Sequence, residues 1–410
     1  MFTTSKVHRI IIIAILVDFA RGSTQRYENP KPSTRRFDPD DFLDTAQIIR
    51  RHGYPAETHI VATEDGYLIG LHRIPGSQDG KKGCQPVFLQ HGLLGSSADW
   101  IMNGNNSLGF LLADQGYDVW LGNYRGNTYS RGHVTLPTWS AQYWNFSWHE
   151  MGIYDLPAAL YYVSNTTGKY GEIIYIGHSM GGTGYLVMSS TKPEAAKNVK
   201  LMIGLAPASH MTNVTSPVRY LAPYANDIQW LSKYLGINEL LPNDKLLKFL
   251  SYECDKTVKN DKICGNVLFI FLGFEKDEFN VDILPKVLSH DPAGTSSKTV
   301  LHYAQEIRDH GRFQQYDYGL EGNLIKYGTP SPPLYKMEKV KSKVYLMYAE
   351  MDNLASATDV RILSRELKNL VGLYKVPLRV FNHVDFIFGK DAYSLVYKKV
   401  LEVMKNFTIN

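Results

Sequence analysis

Residues 172–184 constrain the fold of this chain more than any other stretch. They read Glu-Ile-Ile-Tyr-Ile-Gly-His-Ser-Met-Gly-Gly-Thr-Gly, in which a β-branched and aromatic run ends at Gly-x-Ser-x-Gly and a helical pattern follows. The pattern places Ser179 on a sharp strand-to-helix turn, where a side chain at residue 177 or 181 would collide with neighbouring backbone. The helix after the serine directs N–H groups and a positive dipole end toward any anion that forms there. We therefore predict that Ser179 is a nucleophile.

A nucleophilic serine needs a base and an acid, and two predicted strand ends later in the chain supply them. Residues 344–348 read as a core strand followed by Asp352, with Glu350 as a local rival for the acid. Residues 378–381 read as the last strand, and His383 follows it. The order serine, acid, histidine is that of the α/β-hydrolases. The sequence thus predicts Asp352 as the acid and His383 as the base.

The loop after another predicted strand, residues 86–89, reads His-Gly-Leu-Leu-Gly. In α/β-hydrolases the loop after the third strand supplies one oxyanion N–H, and the residue after the nucleophile supplies the other. These positions are Leu93 and Met180, which would act through their backbone. His91 precedes the serine, against the usual order of the triad, so we interpret it as a brace for the loop.

Strands alternate with helical segments up to about residue 206, which is typical of a parallel sheet wrapped by helices. We predict an α/β fold of the α/β-hydrolase type, with a mostly parallel central sheet and helices on its faces. Far more residues separate the serine from the acid than two βα units need. Residues 208–333 are therefore predicted to form an inserted helical cap or lid over the nucleophile. Residues 37–207 and 334–410 then form the core.

The first 22 residues have the pattern of a secretory signal peptide, with Lys6 and Arg9 before a short apolar run. That run is shorter than the about 20 residues that span a bilayer, so no transmembrane segment is expected. Residues 23–36 are polar and read as a flexible lead-in. This pattern predicts that the protein is secreted or lysosomal.

Passage through the secretory route makes two further modifications possible. Cys254 and Cys264 can pair in an oxidising compartment, which leaves Cys84 free. Five Asn-x-Ser/Thr sequons are candidate glycosylation sites: Asn105, Asn145, Asn165, Asn213 and Asn406.

Charge and motifs argue against other kinds of chemistry. The formal net charge is only +4, which gives no indication of nucleic-acid binding. The sequence has no His-Glu-x-x-His motif, no cysteine pairs at zinc spacing and no glycine-rich loop that ends in Gly-Lys-Ser/Thr. We therefore expect no metal and no cofactor.

The chain resembles the acid lipase family, that of gastric lipase and lysosomal acid lipase, over nearly all of its mature length. The motifs that carry the resemblance are Thr-Glu-Asp-Gly-Tyr (63–67), His-Gly-Leu-Leu (91–94), Gly-Tyr-Asp-Val-Trp-Leu-Gly-Asn (116–123), Arg-Gly-Asn-Thr (125–128), Tyr-Asp-Leu-Pro-Ala (154–158), Ser-His-Asp-Pro-Ala-Gly-Thr-Ser (289–296) and His-Val-Asp-Phe (383–386). The resemblance implies hydrolysis of neutral lipid esters at an oil–water or membrane interface. It implies the same triad and oxyanion donors as the motifs, and a disulfide in the cap between Cys254 and Cys264.

Two alternatives to a lipase use the same fold. A short-chain carboxylesterase or a peptidase would have an identical triad, and only the apolar character of the cap favours an aliphatic acyl chain. A non-catalytic lipid-binding protein on a lipase scaffold commonly loses a triad residue, whereas this chain keeps all three. Met180, Asn353 and Ser356 stand where the two lipases carry Gln, Trp and Asp, and these departures bear on the shape of the acyl pocket.

Overall fold

The computed structural model describes residues 38–408, apart from residues 221, 226, 228–233 and 243–277. The predicted signal peptide, the lead-in and the cysteine pair Cys254 and Cys264 lie outside these residues. Within them, the free cysteine Cys84 is exposed. None of the described helices is long and apolar enough to cross a membrane.

A mostly parallel sheet forms the centre of the fold, in the strand order β1-β2-β4-β3-β6-β7-β10-β11, with β5 paired to β2. The strands in chain order are β1 (Glu57–Ala62), β2 (Tyr67–Ile74), β3 (Gln85–Gln90), β4 (Tyr117–Gly122), β5 (Gly132–His133), β6 (Ile173–His178), β7 (Val199–Leu205), β8 (Glu239–Leu240), β9 (Thr295–Ser296), β10 (Lys343–Tyr348) and β11 (Leu370–Lys375). Strands β8 and β9 form a separate antiparallel pair. The first two strands form an antiparallel hairpin around Asp65-Gly66.

Helices cover both faces of the sheet. The longer described ones are α1 (Thr45–Arg51), α2 (Leu108–Asp114), α3 (Leu156–Thr167), α4 (Met180–Thr191), α5 (Leu284–His290), α6 (Ser297–Arg308), α7 (Gly319–Tyr327), α8 (Ala357–Glu366), α9 (Asp385–Phe388) and α10 (Lys398–Lys405). Helix α1 begins at Thr45, because Asp44 and Gln47 form a capping box at its start.

Alternate residues of the central strands supply two separate cores. Phe88, Trp120 and Tyr175 belong to the core under α3 and α4. Their strand neighbours, such as Leu89 and Ile176, belong to the core under α1, α2 and α10. Every residue of β3, β4 and β6 is buried, since both faces of these strands are covered. Each fully buried aliphatic side chain contributes about 1.5–3 kcal/mol to folding.

A buried arginine joins the first hairpin to the segment before α3. The guanidinium of Arg125 donates to both oxygens of Asp65 at 2.6 and 2.8 Å, and its Nε donates to Asp155 at 2.7 Å. Its carbon Cζ lies 3.9 Å from the ring centroid of Tyr67. Arg125 is only 1% exposed, so its charge has lost its contact with water. The ion pairs with the two carboxylates compensate for that loss.

The predicted last strand is wrong. Residues 378–381 form a turn, and the strand that pairs with β10 is β11. Helix α8 ends before β11, at Glu366. Strand β11 lies at the sheet edge with alternate side chains exposed, so it lacks the continuous apolar run that marks the central strands.

Helix α3, which precedes β6, has an irregular start. A π-helical stretch, Met151–Asp155, precedes α3. It brings Gly152 so close to α4 that an added Cβ would lie 2.9 Å from the carbonyl oxygen of Gly184. Glycine at residue 152 therefore permits the close packing of the two helices.

Candidate active site

Ser179 sits at the turn between β6 and α4 in a strained backbone conformation, with φ 51° and ψ −116°. Both flanking positions require glycine, because the neighbouring backbone leaves no room for a side chain. An added Cβ at Gly177 would lie 2.6 Å from the carbonyl carbon of Gly181, and one at Gly181 would lie 2.3 Å from the backbone oxygen of Gln90. The predicted strand–turn–helix geometry is confirmed at every one of these positions.

The structure brings Ser179, His383 and Asp352 into one line of hydrogen bonds. The Nε2 atom of His383 lies 2.7 Å from Ser179 Oγ, and its Nδ1 lies 2.8 Å from Asp352 Oδ2. Because a carboxylate only accepts, Nδ1–H donates to the aspartate and Nε2 accepts from the serine hydroxyl. All three residues are at most 7% exposed. This arrangement can transfer a proton from the hydroxyl to the imidazole while the carboxylate stabilises the resulting charge.

The carboxylate of Asp352, the predicted acid, is fixed by the loop that follows β10. Asp352 Oδ1 accepts the backbone N–H groups of Leu354 and Ala355 at 2.9 and 2.8 Å. Its other oxygen is thereby directed at His383. The rival acid Glu350 is exposed and pairs with Arg361 and Lys375, so it lies outside the site.

His383, the predicted base, follows a turn, and local hydrogen bonds hold it in place. The N–H of His383 donates to Asn382 Oδ1 at 2.7 Å, and the N–H of Asn382 donates to Asp385 Oδ2 at 2.7 Å. From the other side, His178 Nε2 lies 3.0 Å from the backbone oxygen of His383. Sequence reasoning missed His178, although a polar residue at the end of a buried strand beside the serine was a usable signal.

The two predicted oxyanion donors flank the serine. Within the described part of the chain, the N–H groups of Leu93 and Met180 donate no hydrogen bond to protein. Gly92 packs directly against the nucleophile, since an added Cβ would lie 3.2 Å from Ser179 Cβ. Leu94 has a φ of 64°, which turns the chain sharply after Leu93. The two N–H groups therefore remain the candidate oxyanion donors.

His91 braces this loop, as predicted. The N–H of Tyr124 donates to its Nε2 at 3.1 Å, so its Nδ1–H donates to the oxygen of Gly92, 2.7 Å away. Burial lowers the pKa of His91 to about 4, which keeps the ring neutral. Its two nitrogens are thus occupied away from the serine.

A segment from the second half of the predicted insertion packs on the loop that carries Leu93. The N–H of Ala293 donates to the oxygen of Leu94 at 2.6 Å, and the N–H of Thr128 donates to the oxygen of Ala293 at 2.9 Å. Next to this contact the carboxyls of Asp99 and Asp291 face each other. Burial raises the pKa of both groups, and their mutual repulsion raises that of Asp291 further. Both carboxyls therefore resist ionisation at pH values where an exposed carboxyl is charged.

The remaining predicted positions lie away from this site or at its margin. The five sequon asparagines are all exposed: Asn105, Asn145, Asn165, Asn213 and Asn406. The side-chain nitrogen of Asn213 donates to Asp359 at 2.7 Å. Across the described ranges, no group of three or more His, Cys, Asp or Glu side chains is arranged to hold a metal ion.

Comparison with known proteins agrees with this geometry. Residues 85–377 match a family described as "alpha/beta hydrolase fold", and residues 45–104 match a "partial alpha/beta-hydrolase lipase region". Lipase 3 of Drosophila melanogaster is 40% identical over 369 residues, which are 89% of this chain and 93% of that protein. Human lysosomal acid lipase/cholesteryl ester hydrolase is 37% identical over 375 residues, which are 90% and 92% of the two chains.

A solved structure gives the same fold at low sequence identity. It is a soluble variant of monoglyceride lipase from Saccharomyces cerevisiae in complex with a substrate analog, at 14% identity and a TM-score of 0.52. The match covers 85% of this chain and 95% of that one. The predicted α/β-hydrolase fold is confirmed.

Proposed function

The chain belongs to the acid lipase family of carboxylic ester hydrolases, and from that premise we propose that it cleaves esters of neutral lipids through an acyl-enzyme on Ser179. The observation that carries the proposal is the unbroken hydrogen-bond line from the serine hydroxyl through His383 to Asp352. Triacylglycerol and sterol esters are the substrate class, because the human relative is named for cholesteryl ester hydrolysis.

In the acylation step, His383 Nε2 accepts the proton of Ser179 as its oxygen attacks the ester carbonyl. The carbonyl oxygen becomes an oxyanion, which the N–H groups of Leu93 and Met180 stabilise. Loss of one such donor costs on the order of 3 kcal/mol of barrier. Asp352 stabilises the imidazolium of His383 by proximity and by the hydrogen bond to Nδ1.

The imidazolium next donates its proton to the leaving alcohol oxygen, and the C–O bond of the ester breaks. Water then enters, gives a proton to His383 Nε2 and attacks the acyl carbonyl. Collapse of this second tetrahedral intermediate returns the proton to Ser179 Oγ and releases the fatty acid. No step needs a metal or a cofactor.

The proposal also includes entry into the secretory pathway and a cap over the active site. Residues 1–22 act as the signal peptide, residues 208–333 act as a cap or lid, and Cys254 pairs with Cys264. The protein is then secreted or lysosomal, with its exposed sequons open to glycosylation. A lysosomal relative and the leader pattern support this route.

The decisive test compares Ser179→Ala with Ser190→Ala, a variant on the same helix whose hydroxyl donates only to the helical carbonyl of Val187. Each protein is assayed on emulsified triglyceride, emulsified cholesteryl ester and a soluble short-chain ester, and then labelled with a serine-reactive phosphonate. We expect Ser179→Ala to lose turnover and labelling while Ser190→Ala keeps both. Retained activity in Ser179→Ala would eliminate the acyl-enzyme.

The substrate panel also decides between the lipase and a short-chain esterase. A lipase hydrolyses the emulsified esters faster per enzyme than the soluble one, since its acyl site accepts long chains. Activity confined to the soluble ester would support the esterase. Absence of both hydrolysis and labelling in the unmodified protein would favour a lipid-binding protein.

A further inference from the structure

His178 is the last residue of β6 and the neighbour of the nucleophile, yet its side chain contacts the base. It is 7% exposed, and its ring centroid lies 5.0 Å from that of His383. Its Nε2 lies 3.0 Å from the backbone oxygen of His383, and a carbonyl only accepts, so Nε2–H is the donor. The hydrogen bond spans two segments 205 residues apart in sequence.

We propose that His178 is a positioning residue that fixes the main chain of the base relative to the nucleophile. The inference rests on the proposed function of Ser179 and His383. One end of the link is rigid, because β6 is paired on both sides and the N–H of Ser179 donates to the oxygen of Leu205 at 2.9 Å. The other end is the loop after β11, where His383 is held mostly by its own neighbours Asn382 and Asp385.

The geometry explains why a link at this point matters. His383 must stay within hydrogen-bonding distance of both Ser179 and Asp352, and a misplacement of about 1 Å can cost on the order of 100-fold in rate. The bond from His178 acts on the backbone of His383 itself. It therefore fixes the distance of the imidazole ring from Ser179, while the hydrogen bond to Asp352 fixes the orientation of the ring.

The surroundings keep His178 neutral and in one tautomer. Burial lowers its pKa to about 3, and the nearby His383 and His91 lower it in the same direction. Nδ1 faces the oxyanion loop, since an added Cβ on Gly92 would lie 3.1 Å from it. A neutral ring keeps its Nε2–H donor and places no second positive charge beside the imidazolium that forms on His383.

Two substitutions separate positioning from packing. In His178→Gln the side-chain amide reaches about as far as Nε2 and can donate to the same carbonyl. In His178→Asn the amide is shorter and cannot reach it. Both variants introduce a neutral polar group at the same buried position. Because asparagine also lacks a methylene, a loss that comes from packing alone would follow the Tm.

The test measures kcat and KM on a soluble ester, the rate of labelling by a phosphonate, the pH dependence of kcat/KM and the Tm. For His178→Asn we expect kcat and the labelling rate to fall on the order of 10- to 100-fold at unchanged KM, with a displaced pH profile. For His178→Gln we expect most of the rate and the original profile. Equal losses in both variants, losses that follow Tm, or an unaffected His178→Asn would overturn the proposal.

The same measurements separate this proposal from the function on which it rests. If the unmodified protein neither hydrolyses esters nor reacts with the phosphonate, the proposed function fails. If it does both and His178→Asn equals it, the function stands and the positioning role fails.

Discussion

Asp291→Asn should make the folding stability of the protein less sensitive to a rise in pH. Asp291 and Asp99 face each other where residues 291–293 meet the oxyanion loop, and the Asp291 Oδ1 atom is buried. Burial and mutual repulsion raise the pKa of this pair above the unfolded value of about 3.9. The folded state therefore binds more protons than the unfolded one in this range. The stabilisation is complete below about pH 4 and is lost as pH rises through the folded pKa values.

The size of the loss follows from the repulsion of two carboxylates. Two unit charges about 4 Å apart interact by about 4 kcal/mol at an effective dielectric constant of about 20. The entropy of unfolding, about 2.1 cal/mol/K per residue, gives about 0.9 kcal/mol per degree for a chain of 410 residues. We therefore expect the unmodified protein to lose about 5 °C in Tm between pH 4 and pH 7.5 through this pair alone.

In Asp291→Asn the amide can donate to the Asp99 carboxylate, so no second charge forms. The assay records thermal unfolding of the unmodified protein and the variant at half-unit steps from pH 4 to pH 7.5, at one scan rate. The difference in Tm cancels the contributions of all other titrating groups. Glu321→Gln, on the exposed side of α7, is the control for removal of a charge. A difference in Tm that stays constant over the whole range would refute the reasoning.

The remaining predictions concern the site and the core. Asp352→Asn should lower kcat about 10⁴-fold with little change in Tm, because the amide selects the wrong imidazole tautomer; a loss of less than tenfold in steady-state assays would contradict the triad. Gly92→Ala should lower kcat at least about tenfold on a soluble ester, since its Cβ would lie 3.2 Å from Ser179 Cβ; unchanged kinetics would show that the loop moves freely. Arg125→Met should cost about 3–5 kcal/mol in denaturant unfolding, because it leaves two carboxylates without their partner; a cost below about 1 kcal/mol would contradict this.

The sequence was most informative where one physical requirement dominates. Predominantly apolar runs marked β3, β4 and β6, because strands that are buried on both faces consist largely of apolar side chains. The pattern around Ser179 was equally specific, since close backbone contacts admit only glycine at residues 177 and 181. At these positions the local sequence pattern and the tertiary packing favour the same residue types.

The predictions were least accurate where packing decides between weak local signals. Strand β11 has alternate side chains exposed, so its pattern merged with the helix before it and the strand was placed at residues 378–381. The contacts of His178 with His383 and of Asp99 with Asp291 join segments about 200 residues apart. Local sequence can mark one member of such a pair, as the polar His178 at the end of β6 does, but it does not identify the partner, because the partner is set only when the distant segments pack together.

The pairing of β10 with β7 has a consequence for biosynthesis. The two strands are adjacent in the sheet although the whole predicted insertion separates them in sequence. A nascent or truncated chain that stops after β7 carries the serine and neither of its partners. Under the proposed mechanism such a fragment cannot form an acyl-enzyme. The hydrogen-bond line is complete only when the segments that carry Asp352 and His383 have joined the fold.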